Sequence, residues 1–298
     1  MHGVDVLSDT IAALRTGRPG SGLTVRHAPW GREYRSVSGA GFHLVLDGSC
    51  WLVPRRSEPV PLAVGDVVLL YRDVGHGLAD RPDTPLSEVA APGEPTVVAG
   101  PGARTALLCG VYEFAHDWTH PLLDGLPDVV HVPAGTDPQV TATVGLLTAE
   151  LAADADRRPG ADALTPALLD ALLVYVLRAW LAAHADHGWG TALHDPAMAR
   201  ALDTMHAEPA HPWTVGELGA AAGMSRATFA RRFTGSVGEP PLAYLTRWRM
   251  ITAARALRDT DAPLAAIART VGYSSEYAFA KAFKRAHGTA PGQYRRRG

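Results

Sequence analysis

An internal repeat with a period of 50 residues lies near the C-terminus, and it restricts the fold more than any other feature of the chain. The first copy contains Ser225, Phe229, Phe233, Gly238, Pro241 and Tyr244, which recur as Ser275, Phe279, Phe283, Gly288, Pro291 and Tyr294. Upstream the register shifts by one residue, so that Leu218, Gly223 and Met224 correspond to Ile267, Gly272 and Tyr273. A short helix, a glycine turn and a serine-capped second helix in each copy predict two helix-turn-helix units.

Helix start signals divide this region into seven helices. Thr214 and Glu217 have the spacing of a capping box, and Ser225 is placed to cap the next helix. Pro196, Pro241 and Pro291 stand where a first helical turn accepts proline. We therefore predict helices beginning near residues 196, 214, 225, 241, 263, 275 and 291.

The outer faces of the two capped helices carry the candidate DNA contacts. At 100° per residue, Arg231 points away from the Phe229–Phe233 stripe, and Lys281 occupies the same angle in the second copy. We expect Arg231 to contact a base. The arginines better placed to contact phosphates are Arg226, Arg232, Arg247, Arg249 and Arg285. The predicted DNA-binding set is Ser225, Arg226, Ala227, Ala230, Arg231, Arg247, Glu276, Tyr277, Lys281 and Lys284. The alternative is a helical bundle whose arginines are merely solvated.

The charge distribution favours a nucleic-acid partner for the same region. Residues 195–298 carry 15 Lys and Arg against 8 Asp and Glu, a net charge of +7, whereas residues 1–194 carry 13 against 22, a net charge of −9. A basic C-terminal part joined to an acidic N-terminal part is typical of a DNA-binding domain attached to a domain with another task.

The N-terminal part has the sequence pattern of a β-domain. Runs at 42–46, 50–53, 67–71 and 105–114 are rich in residues that favour strands, and Asp47-Gly48 is a hairpin signal between the first two. The expected fold is a β-barrel of the jelly-roll type, then a helical connector, then an all-α tandem helix-turn-helix domain. The domain limits are 1–137, 138–190 and 195–298, with a linker at 186–190.

The connector is a candidate dimer interface. Its second helix, predicted at 164–184, is apolar around much of its girth, so it is either buried in its own chain or packed against a second copy. We find no uninterrupted apolar run of the roughly 18 residues that span a bilayer, and no signal-peptide pattern at the start. Two cysteines, Cys50 and Cys109, exclude a disulfide framework. A cytoplasmic homodimer without a membrane partner is the expectation.

The C-terminal 105 residues or so resemble the DNA-binding domain of AraC/XylS-type transcription regulators. The resemblance rests on Pro212-Trp213-Thr214-Val215, Met224-Ser225-Arg226, Phe229 to Phe233, Pro240 to Leu245, Arg247 to Met250, Ala254-Arg255, Ile267-Ala268, Val271 to Glu276, and Pro291 to Arg295. It implies seven helices in which two recognition helices enter successive major grooves of double-stranded promoter DNA, about 34 Å apart. RNA polymerase is a further candidate partner of such a regulator.

The N-terminal part resembles the cupin-type sensor domain of one AraC-like branch. The matching residues are Phe42 to Leu52, Gly65 to Leu70, Gly75-His76 and Leu107 to Gly110. His76 occupies the position of the second cupin histidine, but the first His-x-His motif and its downstream Glu are missing. The missing ligands count against inherited metal-enzyme chemistry. The alternative to a regulator is a cupin-type metal-dependent enzyme fused to a DNA-targeting domain.

The expected effector pocket is the barrel interior, lined by His43, Val45, Trp51, His76 and Cys109. His43, His76 and Cys109 could together hold a divalent metal such as Zn²⁺. Alternatively, each is an ordinary core residue. A third hypothesis is a redox sensor in which a histidine stabilises the Cys109 thiolate. The effector is thus a small molecule, a metal or an oxidant.

Overall fold

The computed structural model describes residues 5–37, 39–71, 75–90, 96–114, 120–151 and 159–296 and divides into two compact units. The first, here called the sheet unit, comprises the described residues within 16–114 and 126–180. The second, the helical unit, comprises those within 1–15, 115–125 and 181–298. These units do not coincide with the predicted linear limits at 137 and 190, because two N-terminal segments bury apolar side chains in the helical unit.

The sheet unit contains eleven strands among its described residues, arranged in two sheets. They are β1 (Gly20–His27), β2 (Gly31–Tyr34), β3 (Gly39–Asp47), β4 (Ser49–Pro54), β5 (Val60–Ala63), β6 (Val67–Tyr71), β7 (His76–Ala79), β8 (Glu88–Ala90), β9 (Thr96–Val97), β10 (Arg104–Glu113) and β11 (Val129–Val132). One sheet has the order β11-β6-β3-β10-β1-β9 and the other β5-β4-β7-β2-β8. The two sheets form a jelly-roll arrangement and are not closed into one barrel.

The turn at Asp47-Gly48 is not the predicted hairpin. β3 pairs with β6 and β10 in one sheet, whereas β4 pairs with β5 and β7 in the other, so the turn carries the chain between sheets. Gly48 has a φ of +73°, and a Cβ there would lie 2.2 Å from the Arg104 carbonyl oxygen. Glycine is therefore required both by the left-handed backbone and by the close approach of β10.

The apolar core of the sheet unit lies between the two sheets. Alternate residues of both sheets face this interior, as the period of two in a strand requires. The cluster consists of Trp30, Tyr34, Val45, Cys50, Leu52, Leu62, Val68, Leu70, Leu78, Leu107 and Cys109. On the other face of the six-stranded sheet, the Tyr112 hydroxyl donates a 2.6 Å hydrogen bond to the Leu169 carbonyl of a helix.

Twelve helices lie in the described parts of the chain. They are α1 (Val6–Leu14), α2 (Pro121–Asp124), α3 (Pro138–Glu150), α4 (Ala161–Ala183), α5 (Gly188–His194), α6 (Pro196–Ala207), α7 (Val215–Ala221), α8 (Arg226–Val237), α9 (Pro241–Asp259), α10 (Leu264–Thr270), α11 (Glu276–His287) and α12 (Pro291–Arg295). The seven predicted C-terminal helices are α6 to α12. The predicted linker at 186–190 is wrong, since α5 begins at Gly188.

Helix α4 is long and apolar enough on average to cross a membrane, by length and composition only. The sequence of α4 is not an uninterrupted apolar run, because it contains Asp162, Asp170 and Arg178. Its Leu169, Leu172, Leu173, Val176 and Leu177 form a buried stripe, which is the pattern of a core helix.

Candidate nucleic-acid interface and sheet interior

Helix α8 is set by local signals at both ends and by two phenylalanines. The Ser225 hydroxyl accepts from the Thr228 amide at 3.3 Å, and Gly238 ends the helix in the left-handed conformation. Phe229 and Phe233 are fully buried with ring centroids 5.5 Å apart. Because these rings fix one face against the core, the opposite face is presented to solvent.

Helix α11 repeats this construction in the second copy. Ser275 caps it through the Ala278 amide, and Gly288 ends it. Phe279 and Phe283 are fully buried, with ring centroids 5.7 Å apart. The matching turns also agree, since the amides of Met224 and Tyr273 bond the carbonyls of Gly219 and Ala268. The sequence repeat is therefore a structural repeat.

The outward faces of α8 and α11 carry unpaired cations. Arg231 and Lys281 are exposed, and in the described part of the chain neither forms an ion pair. Tyr277 is 80% exposed, which is unusual for an aromatic side chain. Most other predicted contact residues are exposed as well, namely Ser225, Arg226, Ala227, Glu276 and Lys284, while Ala230 is half-buried.

Arg247, predicted to contact phosphate, is held inside the helical unit instead of being presented outward. It is half-buried, and its guanidinium lies 3.1 Å from a Glu239 carboxylate oxygen and 3.5 Å from one of Asp124. Two other arginines near the predicted interface are similarly engaged: Arg232 pairs with Asp195 at 2.6 Å, and Arg249 donates to the carbonyls of Pro209 and His211. These three support the fold of the unit.

A buried hydrogen-bonded chain joins α1 and the start of α2 to the first repeat. The Leu122 amide donates to His120 Nδ1 at 3.2 Å, so the His120 proton is on Nε2 and is directed to the Tyr244 hydroxyl at 3.0 Å. That hydroxyl lies 2.5 Å from His206 Nε2, and His206 Nδ1 lies 3.1 Å from an Asp9 oxygen. Burial lowers the pKa of both histidines, so both are neutral and the donors run from His120 to Asp9.

No sequence pattern brings these four residues together. Tyr244 was recognised only as a member of the repeat, and its partners lie far away in sequence. The Trp248 ring stacks on His206 with centroids 3.8 Å apart, which closes the site on a further side. The only local signal was His206 on the apolar face of α6, among Met198, Ala201, Leu202 and Met205.

In the sheet unit, the structure brings His43 and His76 together. Their Nε2 atoms are 2.7 Å apart, and both side chains are buried. The Tyr34 ring stacks on His76 and meets His43 edge-on, at centroid distances of 5.2 and 4.8 Å. Burial, followed by the neighbouring charges of His76 and Arg32, lowers the pKa of His43. The pair is therefore a buried polar site inside an apolar core.

Cys109 does not complete a three-ligand metal site. Its sulfur pairs with the Tyr34 hydroxyl at 3.6 Å, and within the described ranges no group of three His, Cys, Asp or Glu side chains could hold a metal ion. The predicted ligand set of His43, His76 and Cys109 is thus reduced to a histidine pair. A zinc site needs at least three protein ligands, so these residues do not fit a resident zinc ion.

The remaining predicted pocket residues divide between two faces. Val45 is fully buried in the interior cluster. Trp51 is half-exposed and lies between Cys50 and Leu52, which both face the interior, so it belongs to the other face of its sheet. Burial raises the pKa of Cys109 to about 11 and that of Cys50 to about 12, so both are neutral thiols. The raised pKa disfavours the Cys109 thiolate that the redox-sensor hypothesis requires.

Comparisons with known proteins match one family to the N-terminal part of the chain and another to the C-terminal part. A family model described as cupin matches residues 5–182, and one described as a helix-turn-helix domain matches residues 218–297. A putative AraC-like transcription regulator of Streptomyces antibioticus is 42% identical, over 98% of this chain and 99% of that protein. A putative AraC-like transcription regulator of Streptomyces lividans is 40% identical over 98% of both chains. The HTH-type transcriptional regulator MtrA of Neisseria gonorrhoeae is 30% identical over 90% of both chains.

Among solved structures, the DNA-binding domain of AdpA in complex with a target DNA is 33% identical, over 35% of this chain and 92% of that one, with a TM-score of 0.33. Together the fold and the relatives define a DNA-binding transcription regulator and not an enzyme. The chain belongs to the AraC-like transcription regulators with a cupin N-terminal domain.

Proposed function

We propose that α8 and α11 read two sites in promoter DNA, with Arg231 and Lys281 contacting bases. The observation that carries this proposal is the repeated geometry, in which a buried phenylalanine pair leaves an unpaired cation on the opposite face of each helix. An arginine that bonds a guanine edge contributes about 1–3 kcal/mol of base discrimination. Lys284 and Arg226 supply phosphate contacts, which add affinity without specificity.

The test compares Arg231→Ala with Arg255→Ala on duplexes selected from a random library by the unmodified protein. Arg255 is a matched control, since it is an exposed cation that pairs with Asp259 on α9. Arg231→Ala should lose roughly 5- to 150-fold of discrimination at one base pair. Arg255→Ala should keep the selected sequence. Identical binding profiles for the two variants would exclude Arg231 from base recognition.

We further propose that a signal received in the sheet unit controls this DNA binding. The supporting observation is the path of the chain: β10 places Cys109 in the sheet interior, and the next described segment after Phe114 begins at His120, which bonds Tyr244. A ligand that prefers one arrangement of β10 would shift the population of states available to the first repeat. The test of this control is the affinity of the protein for DNA, measured with and without an added ligand.

A homodimer in the cytoplasm, with RNA polymerase as a further partner, completes the proposal. Leu146 on α3 is 56% exposed and Leu164 on α4 is 44% exposed, and these exposed leucines support pairing of two copies. Leu146→Glu with Leu164→Glu should convert a dimer to a monomer in analytical ultracentrifugation. The control is Val64→Glu, because Val64 is 52% exposed and lies between β5 and β6, outside α3 and α4. A wild-type protein that sediments as a monomer at micromolar concentration would contradict the dimer.

A further inference from the structure

The interior of the sheet unit contains a buried positive charge that the sequence analysis did not single out. Arg32 is 6% exposed, and it lies two residues from Tyr34 on β2, so both side chains are on the same face of the strand. Its guanidinium carbon is 5.4 Å from the centre of the Tyr34 ring. Arg32 therefore lies beside the histidine pair.

Arg32 has unmet hydrogen-bonding capacity. Its Nε and Nη1 atoms are buried without a hydrogen-bond partner, and in the described ranges it forms no ion pair. A buried guanidinium without a counter-charge is costly, so native proteins pair it with an anion. Asp66, a buried acid of the same unit, is already bonded by the Ala63 and Ala134 amides and by His131.

The side chains next to Arg32 that the structure describes are His43, His76 and Tyr34, which supply hydrogen-bonding groups without a negative charge. His43 Nδ1 is buried without a hydrogen-bond partner, and the Nε2 atoms of His43 and His76 share one proton position between them. The Tyr34 hydroxyl pairs with Cys109. Leu52, Leu78 and Leu107 of the interior cluster surround these polar groups with apolar surface. A guanidinium and imidazoles inside an apolar shell are chemically suited to a small organic anion.

A cavity of about 280 Å³ lies beside the sheets, close to the strand that carries His76. Two of its lining residues, Leu70 and Val129, also contact the interior cluster, and a third, Gly75, directly precedes His76. Arg56 and Asp128 lie on its wall. The cavity thus borders the backbone next to His76.

We propose that the sheet interior binds a small carboxylate, with Arg32 as its charge partner and His43 and His76 as hydrogen-bonding partners. The inference rests on the proposed sensing role of the sheet unit and names the class of its effector. The guanidinium supplies the planar donor geometry that carboxylates match best. The apolar shell contacts the hydrocarbon part of the ligand.

The test measures binding of acetate, propionate and benzoate to the full-length protein by calorimetry and thermal shift, with chloride added to keep ionic strength constant. Propionamide serves as the neutral analogue, and phosphate and sulfate as inorganic anions. We expect saturable stabilisation by at least one carboxylate and none by propionamide. Stabilisation by phosphate or sulfate alone, or by no anion, would overturn the assignment.

Two variants separate a ligand-binding role from a structural one. Arg32→Met should weaken carboxylate binding at least tenfold, and should raise the melting temperature of the ligand-free protein, because it removes an uncompensated buried charge. Arg104→Met, at an exposed arginine paired with Asp47, should change neither. Unchanged carboxylate binding by Arg32→Met contradicts the proposal. If Arg32→Met does not fold, Arg32→Lys takes its place. This variant should also weaken carboxylate binding, and unchanged binding would contradict the proposal.

DNA affinity measured in the same samples distinguishes this site from the sensing role. Carboxylate binding that depends on Arg32 but leaves DNA affinity unchanged would uphold the site and refute the sensing role. DNA affinity that responds to another ligand, in a protein that binds none of the carboxylates, would refute the site and uphold the sensing role.

Discussion

The Tyr244 hydroxyl lies 2.5 Å from Nε2 of His206 and 3.0 Å from Nε2 of His120, so one oxygen satisfies two buried imidazoles. Tyr244→Phe removes that oxygen and leaves both nitrogens without it. We expect the free energy of unfolding of the helical unit to fall by about 1–3 kcal/mol, measured by urea denaturation.

The matched control for this variant is Tyr294→Phe, at the equivalent position of the second repeat. The Tyr294 hydroxyl accepts from Arg258, which also donates to the Ala13 carbonyl. Arg258 therefore keeps a partner when that hydroxyl is removed, and the loss should be smaller. Equal losses in the two variants would mean that the histidine chain adds nothing particular.

The helical unit should lose stability in mild acid. Burial lowers the pKa of His120 and His206 below the ordinary value of 6.5, so the unfolded chain binds more protons between the two values. Their contribution is fully present above pH 6.5 and declines as the pH falls below it, by up to about 1.4 kcal/mol per pH unit for each histidine. Denaturation midpoints between pH 8 and 5 measure the effect. His120→Gln should flatten the profile, and an unchanged slope would contradict this assignment.

Arg247→Ala should affect folding more than DNA contact. Arg247 is the partner of Glu239, whose pKa is raised by burial and lowered by this arginine, so its loss leaves a carboxylate half-buried and unmatched. We expect lower stability, with the salt dependence of DNA binding unchanged. Loss of a phosphate contact would instead reduce the slope of log K against log salt by about 0.9. Arg226→Ala is the comparison, because Arg226 is exposed on α8.

The two cysteines should resist thiol reagents in the native protein. With the pKa of Cys109 raised to about 11 and that of Cys50 to about 12, the thiolate fraction at pH 7.5 is at least about 100-fold below that of a free cysteine. Labelling by a disulfide reagent, with and without denaturant, checks this. Rapid native labelling of Cys109 would restore the redox-sensor hypothesis.

Gly48→Ala should destabilise the sheet unit strongly. An alanine there would adopt a left-handed backbone and meet the Arg104 carbonyl oxygen at 2.2 Å. The backbone conformation alone costs about 1–2 kcal/mol. Gly20→Ala, at a strand glycine with no atom within 4 Å of the added Cβ, should have little effect. Thermal unfolding of both variants measures the difference.

The C-terminal helices were predictable because their signals are local. Ser225 and Ser275 act on amides three residues away, and Gly238 and Gly288 end their helices through their own backbone conformation. The spacing of Phe229 and Phe233 determines which face is buried, and therefore which face Arg231 presents. None of these inferences required knowledge of a distant contact.

Pairing across long sequence separations was not predictable. The Asp47-Gly48 turn is compatible with a hairpin, and only the pairing of β3 with β10 and of β4 with β7 shows that it links two sheets. Arg247 resembles any surface arginine until Asp124 is placed beside it. Arg32 was likewise overlooked, because a buried arginine and a solvated one look alike in sequence.

The placement of α1 in the helical unit has a consequence for synthesis on the ribosome. Asp9 bonds His206, 197 residues further along the chain, so α1 cannot complete this contact until that length of chain has been translated. At 5–20 residues per second, that delay is about 10–40 seconds. During this interval the apolar side of α1, formed by Val6, Leu7, Ala13 and Leu14, has to be kept from contacts with other chains.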